Sequence, residues 1–287
     1  MNISKSIEAT LEHSIALAAR PNAPPLLSSA LQYAMFPGGA RVRPQLCMAV
    51  ATACAPKADL SEAYAAAAAI EMLHCASLVH DDLPCFDDAD TRRGKLSVHA
   101  AYGEPLALLV GDALIVMSFD TVAREASDHL RELFLILTEA TAPPYGITAG
   151  QAWESENAID LEAYHNAKTA ALFIAASRAG AASVGHSDKN WRELGQRLGE
   201  AYQIADDLRD ALLSPEELGK PAHQDQRHCR PSAVDRFGVD VAFRRLTDAI
   251  DATADAIPDC AGEQALRQLI YAQAKRLAPE SLAKQVA

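Results

Sequence analysis

The stretch Asp81-Asp82-Leu83-Pro84-Cys85-Phe86-Asp87-Asp88-Ala89-Asp90 carries five aspartates in ten positions, and Thr91-Arg92-Arg93-Gly94 follows it directly. A second acidic cluster, Asp206-Asp207-Leu208-Arg209-Asp210, lies much later in the chain. Carboxylates this dense repel one another unless cations lie between them. Oxygen ligands without a neighbouring Cys or His set suit hard divalent ions, above all Mg²⁺ bound together with a substrate phosphate. The two clusters therefore predict diphosphate chemistry.

The second cluster has the spacing of one helix face. Gln203, Asp206, Asp207 and Asp210 occupy positions i, i+3, i+4 and i+7, which lie along one stripe of an α-helix. Asp206 and Asp210 would be about 6 Å apart along the helix axis, a separation that metal ions can bridge. A solvated acidic face is the alternative, but the apolar residues on both flanks favour a stripe that faces a cleft.

A proline changes the geometry of the first cluster. Asp81 and Asp87 would lie on opposite sides of a continuous helix, about 9 Å apart along its axis. Pro84 disfavours helical geometry at Leu83 and removes a backbone donor, so a local bend would bring Asp87 back towards Asp81. Two inward-facing acidic stripes would then hold metal ions between them. The alternative, an acidic helix end followed by a basic loop, explains one cluster but not two.

The rest of the chain predicts an all-α fold. Of the 287 residues, 49% are hydrophobic and only 6% are aromatic, and the frequent alanines favour close-packed helices over sheets. Apolar residues recur at helical spacing, and no segment alternates as a strand does. We therefore expect one helical domain spanning 1–287. Helices are predicted over about 3–15, 26–36, 61–81, 105–125, 128–142, 160–183, 189–213, 240–256 and 262–277.

Composition also limits the partners and the compartment. The formal net charge of −12 argues against a general nucleic-acid-binding surface. The six cysteines form no CxxC pair, so we interpret them as reduced thiols of a cytoplasmic protein. The N-terminus lacks the apolar segment of a signal peptide. Glu71 and Asp112 interrupt the longest apolar runs before they reach the ~20 residues of a membrane span, so no membrane span is expected.

Six short motifs follow one another along the chain. They are Gly38-Gly39-Ala40-Arg41-Val42-Arg43-Pro44, the first aspartate cluster with Arg92-Arg93-Gly94, Gly111-Asp112-Ala113-Leu114, Gly150-Gln151 with Lys168-Thr169, Gln203 to Asp210, and Gly219-Lys220. In this order they resemble the motifs of the trans-prenyl diphosphate synthases, the polyprenyl synthetase family. The likeness runs from about residue 38 to residue 230, and the pattern is most similar to bacterial geranylgeranyl diphosphate synthases of carotenoid and bacteriochlorophyll pathways.

The resemblance implies a fold and an activity. The fold would be a helical bundle of the isoprenoid-synthase type around a central cleft. The activity would be that of a Mg²⁺-dependent prenyltransferase, which condenses isopentenyl diphosphate head-to-tail with an allylic diphosphate (dimethylallyl, geranyl or farnesyl) to make geranylgeranyl diphosphate. Farnesyl diphosphate is the alternative product. The family pattern also implies three Mg²⁺ ions with the bound allylic diphosphate, and a homodimer.

The resemblance further implies roles for individual residues. The metal ligands would be Asp81, Asp87 and Asp206. Support through waters and hydrogen bonds would come from Asp82, Gln203, Asp207 and Asp210. The allylic diphosphate would be held by Arg92, Lys168 and Lys220, and the diphosphate of isopentenyl diphosphate by Arg43, His74 and Arg93. Thr169 and Gln203 would line the reacting centre. Arg230 falls where the family often has a further lysine.

The length of the product would be set by residues just before Asp81. Ala76 stands at the fifth position upstream, where fifteen-carbon synthases of the family often have an aromatic residue, and Ser77 follows it. Both are small, so the floor of the pocket would lie deeper and a twenty-carbon product is expected. The candidates for that floor are Leu73, Met117 and Phe119.

Other protein classes fit these motifs less well. A terpene cyclase would carry an Asn/Ser/Glu second metal motif and no Arg-Arg-Gly, and a noncatalytic partner subunit of a prenyl synthase would have lost an aspartate cluster. A structural calcium-binding protein would need a DxDxDG loop.

A few residues near the motifs receive a weaker interpretation. Ala40 replaces the usual lysine of its motif, and Arg41 would project about 100° away on a helix. Trp153 and Glu154 are interpreted as packing and helix-capping residues. Three histidines close to the motifs are interpreted as structural rather than as ligands: His80, His99 and His165.

Overall fold

Helices account for most of the computed structural model, which describes residues 3–212, 234 and 237–277. Ten long or medium helices and several short ones follow one another along the described chain. Their bounds are α1 Ile3–Ala18, α2 Pro25–Met35, α3 Val42–Cys54, α4 Ser61–Asp81, α5 Val98–Tyr102, α6 Glu104–Glu125, α7 Leu130–Thr141, α8 Ile147–Ala152, α9 Leu161–His165, α10 Ala171–Ala182, α11 Arg192–Leu212, α12 Val239–Asp255 and α13 Glu263–Leu277.

Helix α4 forms the centre of the core. It packs against α6, α3 and α10, and its alanine run from Ala65 to Ala69 is at most 1% exposed. Alanine has the highest helix propensity and lets neighbouring helices approach closely. The buried α4 ends at Asp81, so the fold carries the first aspartate cluster from the core to the rim of a cleft.

Helix α11 carries the second cluster beside this core. It packs against α10 on one side and α12 on another. A small apolar cluster of Ala201, Ala205, Leu208, Ala242 and Leu246 holds α11 to α12. These apolar positions fix the rotation of α11 about its axis, and the aspartates between them then point into the cleft.

The predicted all-α class is confirmed, with two local differences. Helix α3 was not predicted: eight of its residues are buried, and a helix that is apolar nearly all round has no periodic stripe to detect. A two-stranded antiparallel hairpin, with β1 at Thr91–Arg92 and β2 at Lys95–Leu96, was not predicted either. Strands of two residues are too short for an alternating pattern.

Helix α6 is the element that most resembles a membrane segment. Among the described residues it alone is long and apolar enough to cross a membrane by length and composition, although it contains Asp112, and 39% of its most apolar window is buried. Core helices of globular proteins meet the same criterion, and α6 packs along α4 and against α2. Its outward face exposes Leu108, Leu109 and Val116.

Candidate active site

Both aspartate clusters line one cavity of about 450 Å³. The walls come from the start of α3, the last turns of α4, the hairpin, the α8–α10 region and α11. Most side chains predicted for the site within the described residues lie in this wall, whereas Leu73, Ala76, Asp82, Met117 and Phe119 do not. Those in the wall include Arg43, His74, Asp81, Asp87, Arg92, Arg93, Lys168, Thr169, Gln203, Asp206 and Asp207, together with Asp210 and Ser77.

The first cluster forms a tight reversal after α4. The backbone N–H of Asp87 donates to the carbonyl of Asp81 at 2.9 Å, and the N–H groups of Asp88 and Ala89 donate to Leu83 and Asp82 at 3.1 Å each. The chain therefore folds back at Pro84, as its sequence predicts. This reversal places the side chain of Asp87 beside that of Asp81.

Three carboxylates converge at this point. One oxygen each from Asp81, Asp87 and Glu154 lies within 4.8 Å of the other two. Such an all-oxygen set fits a hard divalent ion such as Mg²⁺. Asp206 lines the same cavity from α11 and is more exposed than its neighbours on that helix. Two of the three predicted ligands, Asp81 and Asp87, therefore converge, and Glu154 rather than Asp206 completes the group within this distance.

Glu154, interpreted from the sequence as a packing and helix-capping residue, lies beside two of the predicted metal ligands. It lies in a 3₁₀ turn, Trp153–Ser155, and its carboxylate accepts hydrogen bonds from Tyr164 Oη at 2.7 Å and Gln151 Nε2 at 3.2 Å. Lys168 Nζ contacts the Glu154 carboxylate and lies 3.3 Å from Asp81 Oδ1. The sequence offered one signal for Glu154, which is its position one helical turn after the Gly150-Gln151 motif.

Lys168 and Thr169 lie on an unusual piece of backbone. Asn166–Ala170 form a single π-helical turn between α9 and α10, a geometry that is frequent at functional sites. Gly150 makes room for this turn, since a Cβ there would lie 2.4 Å from the backbone nitrogen of Lys168. The Gly150-Gln151 motif is thus explained by close packing of α8 on the lysine segment.

The second cluster is tied to the same turn by hydrogen bonds. Thr169 Oγ1 donates to Gln203 Oε1 at 2.6 Å, and Gln203 Nε2 donates to Asp207 Oδ1 at 2.9 Å. Asp207 is 2% exposed and Asp210 is 8% exposed. Asp206 is therefore the most accessible carboxylate of this stripe, with Gln203 and Asp207 placed to orient the surrounding side chains.

Arg92 is anchored by the second aspartate of the first cluster. Its Nε lies 2.7 Å from Asp82 Oδ1 and its Nη2 2.6 Å from the same oxygen, while Nη2 is 3.8 Å from Asp81 Oδ2. Asp82 is only 3% exposed. Asp82 therefore orients Arg92 at the cavity rim, and its buried position argues against direct metal ligation.

Arg43, His74 and Arg93 form a separate basic group in the cavity wall. Arg93 Nη1 donates to the carbonyl of Gly38 at 2.5 Å, and a Cβ on Gly39 would meet that Nη1 at 2.7 Å. Burial and the charges of Arg43 and Arg93 lower the pKa of His74 well below its ordinary value. His74 is therefore a neutral imidazole near pH 7, able to donate one hydrogen bond to an anion.

Arg41 does not take over the role of the lysine that Ala40 replaces in its motif. Its Nε lies 2.8 Å from Glu8 Oε1, its Nη1 lies 2.9 Å from Glu71 Oε1, and its Nη2 donates to the Met35 carbonyl at 2.8 Å. Burial opposes its charge, but the hydrogen bonds and charges of Glu8 and Glu71 raise its pKa above the ordinary value. Arg41 is thus a structural cation that ties α1 to α4.

The remaining predicted residues have mixed placements. Lys220 and Arg230 lie outside the described residues. Of the product-length candidates, Ser77 lines the cavity, whereas Ala76 and Leu73 are fully buried and Met117 and Phe119 pack partly buried against the core.

The three histidines interpreted as structural differ in their hydrogen bonding. His80 and His99 bond to the backbone carbonyls of Leu108 and Ala89. His165 Nε2 is buried without a hydrogen-bond partner in the part of the chain that the structure describes.

Comparisons with known proteins agree with this geometry. Residues 24–260 match the family model "Polyprenyl synthetase". The chain is 51% identical over its full length to a geranylgeranyl diphosphate synthase of Cereibacter sphaeroides, with 100% of both chains covered. It is 47% identical to one from Rhodobacter capsulatus, with 96% of both covered.

A solved structure of similar sequence has the same fold. The geranyltransferase of Helicobacter pylori, crystallised with magnesium and isoprenyl diphosphate, matches with a TM-score of 0.80 and 28% identity. The match covers 96% of this chain and 98% of the other. The family model covers most of the chain and the relatives match it along its whole length, so the chain belongs to the polyprenyl synthetase family.

Proposed function

We propose that this chain condenses isopentenyl diphosphate head-to-tail with an allylic diphosphate and releases geranylgeranyl diphosphate. The observation that carries the proposal is one cavity with an acidic group at Asp81, Asp87 and Asp206 and a basic group at Arg43 and Arg93. Two differently charged subsites suit two diphosphate substrates held side by side. The full-length likeness to geranylgeranyl diphosphate synthases supports the twenty-carbon product.

Different residues of the cavity bind the two diphosphate substrates. Arg92 and Lys168 hold the allylic diphosphate near the acidic group, because guanidinium and ammonium donors bind phosphate oxygens strongly. Arg43, His74 and Arg93 hold the diphosphate of isopentenyl diphosphate. Asp81, Asp87 and Asp206 would hold Mg²⁺, three ions per site, and the bound metal would supply the neutralisation of charge that lets diphosphate leave.

The chemistry needs no side-chain nucleophile. Cleavage of the carbon–oxygen bond leaves an allylic carbocation, the double bond of isopentenyl diphosphate attacks it, and loss of one proton to the departing diphosphate ends the cycle. Thr169 and Gln203, joined by their hydrogen bond, face the reacting carbons with fixed dipoles. Leu78, Ile147 and Leu172 contribute apolar wall to the cavity and exclude water that would quench the cation.

The proposed function is accompanied by a proposed oligomeric state and compartment. We propose a homodimer, as the family resemblance implies, and the exposed apolar side chains of Leu108, Leu109 and Val116 on α6 would suit a helix–helix interface. The chain acts as one domain over 1–287 in the cytoplasm, where its thiols remain reduced, and its product feeds carotenoid-type isoprenoid synthesis.

The activity is tested by incubating the purified chain with Mg²⁺, isopentenyl diphosphate and, in parallel, dimethylallyl, geranyl and farnesyl diphosphate. Mass spectrometry of the products should show geranylgeranyl diphosphate from each starter. Accumulation that stops at farnesyl diphosphate would identify a fifteen-carbon synthase. Release of diphosphate without condensation would favour a terpene cyclase, and no turnover would favour a noncatalytic partner subunit.

Enlarging Ser77 should shorten the product. Ser77 lies on the cavity face of α4, one turn before Asp81, so a phenyl ring there would occupy the space into which the growing tail extends. We expect Ser77→Phe to shift the main product from twenty carbons to fifteen or fewer, as measured by mass spectrometry.

Ala76→Phe is the matched comparison for this prediction. Ala76 is 1% exposed and does not line the cavity, so a ring there is expected to destabilise the core by about 1–3 kcal/mol. Product shortening by Ala76→Phe alone would place the tail on the other face of α4. An unchanged product from both variants would contradict a tail running past this turn.

A further inference from the structure

We propose that Phe173 is a positioning residue for isopentenyl diphosphate, because its ring supports the guanidinium of Arg43 without occupying the donors of that arginine. The inference rests on the proposed function, in which Arg43 binds the diphosphate of isopentenyl diphosphate. It adds a residue that does not line the cavity and that touches neither substrate. Its effect on the reaction passes entirely through Arg43.

The contact is a cation–π interaction. Arg43 Cζ lies 4.4 Å from the centroid of the Phe173 ring, within the ~6 Å over which ring faces attract cations. Phe173 is 0% exposed, and its ring is in turn 4.6 Å from that of Tyr202 on α11. The aromatic pair is therefore fixed by the packing of α10 on α11, and it offers Arg43 a rigid, desolvated surface.

Arg43 differs from other arginines of the cavity in what holds it. Arg41 is bound by Glu8 and Glu71, and Arg92 is bound by Asp82 and, at 3.8 Å, by Asp81. Arg43 makes no ion pair within the described ranges, and its buried Nε has no hydrogen-bond partner there. Burial accordingly lowers its pKa, although the nearby charge of Glu71 opposes that shift. The cation is thus held in the wall with its hydrogen-bond donors uncommitted.

This arrangement suits an anion site. A carboxylate partner would neutralise Arg43 and compete with the diphosphate for the same donors. An aromatic face stabilises the guanidinium through its plane and leaves the edge, where the N–H groups lie, directed at the ligand. Phe173 therefore holds Arg43 ready for a diphosphate, whereas Glu8 and Glu71 make Arg41 a purely structural residue.

The test replaces Phe173 with phenylalanines of increasing ring fluorination, introduced by nonsense suppression. Fluorine withdraws charge from the ring face while nearly preserving its shape. The KM for isopentenyl diphosphate should rise stepwise with fluorination and reach about tenfold in Phe173→Leu, or about 1.4 kcal/mol. The kcat and the KM for farnesyl diphosphate should stay within twofold. A KM for isopentenyl diphosphate that is flat across the fluorinated series would overturn the proposal.

Phe134 provides the matched control. It packs edge-on against Phe119 at 5.5 Å and does not line the cavity, so fluorination or Phe134→Leu should leave both KM values unchanged.

A separate result would show that the proposed function is wrong, namely the absence of product from the unmodified chain. In that event the dissociation constant of isopentenyl diphosphate, measured by calorimetry over the same series, tests the contact: a stepwise rise supports it and a constant value refutes it.

Discussion

Asp81→Asn should lower kcat/KM for the condensation by about 10²–10³-fold. Asp81 ends α4, accepts the hydrogen bond that folds the first cluster back, and presents its carboxylate to Asp87 and Glu154 within 4.8 Å. An amide keeps the size and the backbone contact but removes the negative charge that a divalent ion requires. The loss should fall mainly on kcat, because charge on the leaving diphosphate develops in the transition state.

A binding measurement separates this effect from a folding defect. Mg²⁺ together with inorganic diphosphate should raise the melting temperature of the unmodified chain and have little effect on Asp81→Asn. Asp88→Asn is the matched control: Asp88 is exposed, does not line the cavity, and has a left-handed φ of 48°, which asparagine tolerates. If Asp81→Asn kept both the Mg²⁺-dependent stabilisation and a third of the activity, the metal assignment would be wrong.

The sequence predicted the local geometry of the site better than its long-range contacts. The reversal at Pro84 could be anticipated because it depends on a proline and its immediate neighbours. The inward stripe of α11 could be anticipated because a helical period fixes which side chains share a face. In both cases the relevant forces act within two turns of the chain.

Contacts between distant segments could not be predicted in the same way. The partners of Glu154 come from α4, α8, α9 and the π-helical turn, and apart from Gln151, one helical turn away, no spacing rule connects them. The cation–π contact joins Arg43 at the start of α3 to Phe173 on α10, and it depends on the packing of two helices that are over a hundred residues apart. Helix α3 itself was hidden because burial on nearly all sides removes its periodicity.

Glu154→Gln should raise the Mg²⁺ concentration for half-maximal activity by about tenfold, with a smaller loss of kcat at saturating Mg²⁺. The amide oxygen can still accept the hydrogen bond from Tyr164, the bond to Gln151 is kept only if the Gln151 amide reverses, and the group of Asp81, Asp87 and Glu154 loses one of its three charges. Affinity for a divalent cation depends on the number of charged ligands. Lys168 keeps its contact with Asp81 at 3.3 Å, so its hold on the allylic diphosphate should change little.

Two other roles for Glu154 give different results. If it only anchored Lys168, Glu154→Gln would raise the KM for the allylic diphosphate and leave the Mg²⁺ dependence unchanged. If it only packed and capped its turn, as its sequence context suggests, neither quantity would move. Glu156→Gln, an exposed neighbour outside the cavity, removes the same charge as a control. Calorimetric titration of Mg²⁺ in the presence of inorganic diphosphate gives the metal affinity without turnover, and an unchanged affinity in Glu154→Gln would remove Glu154 from the metal site.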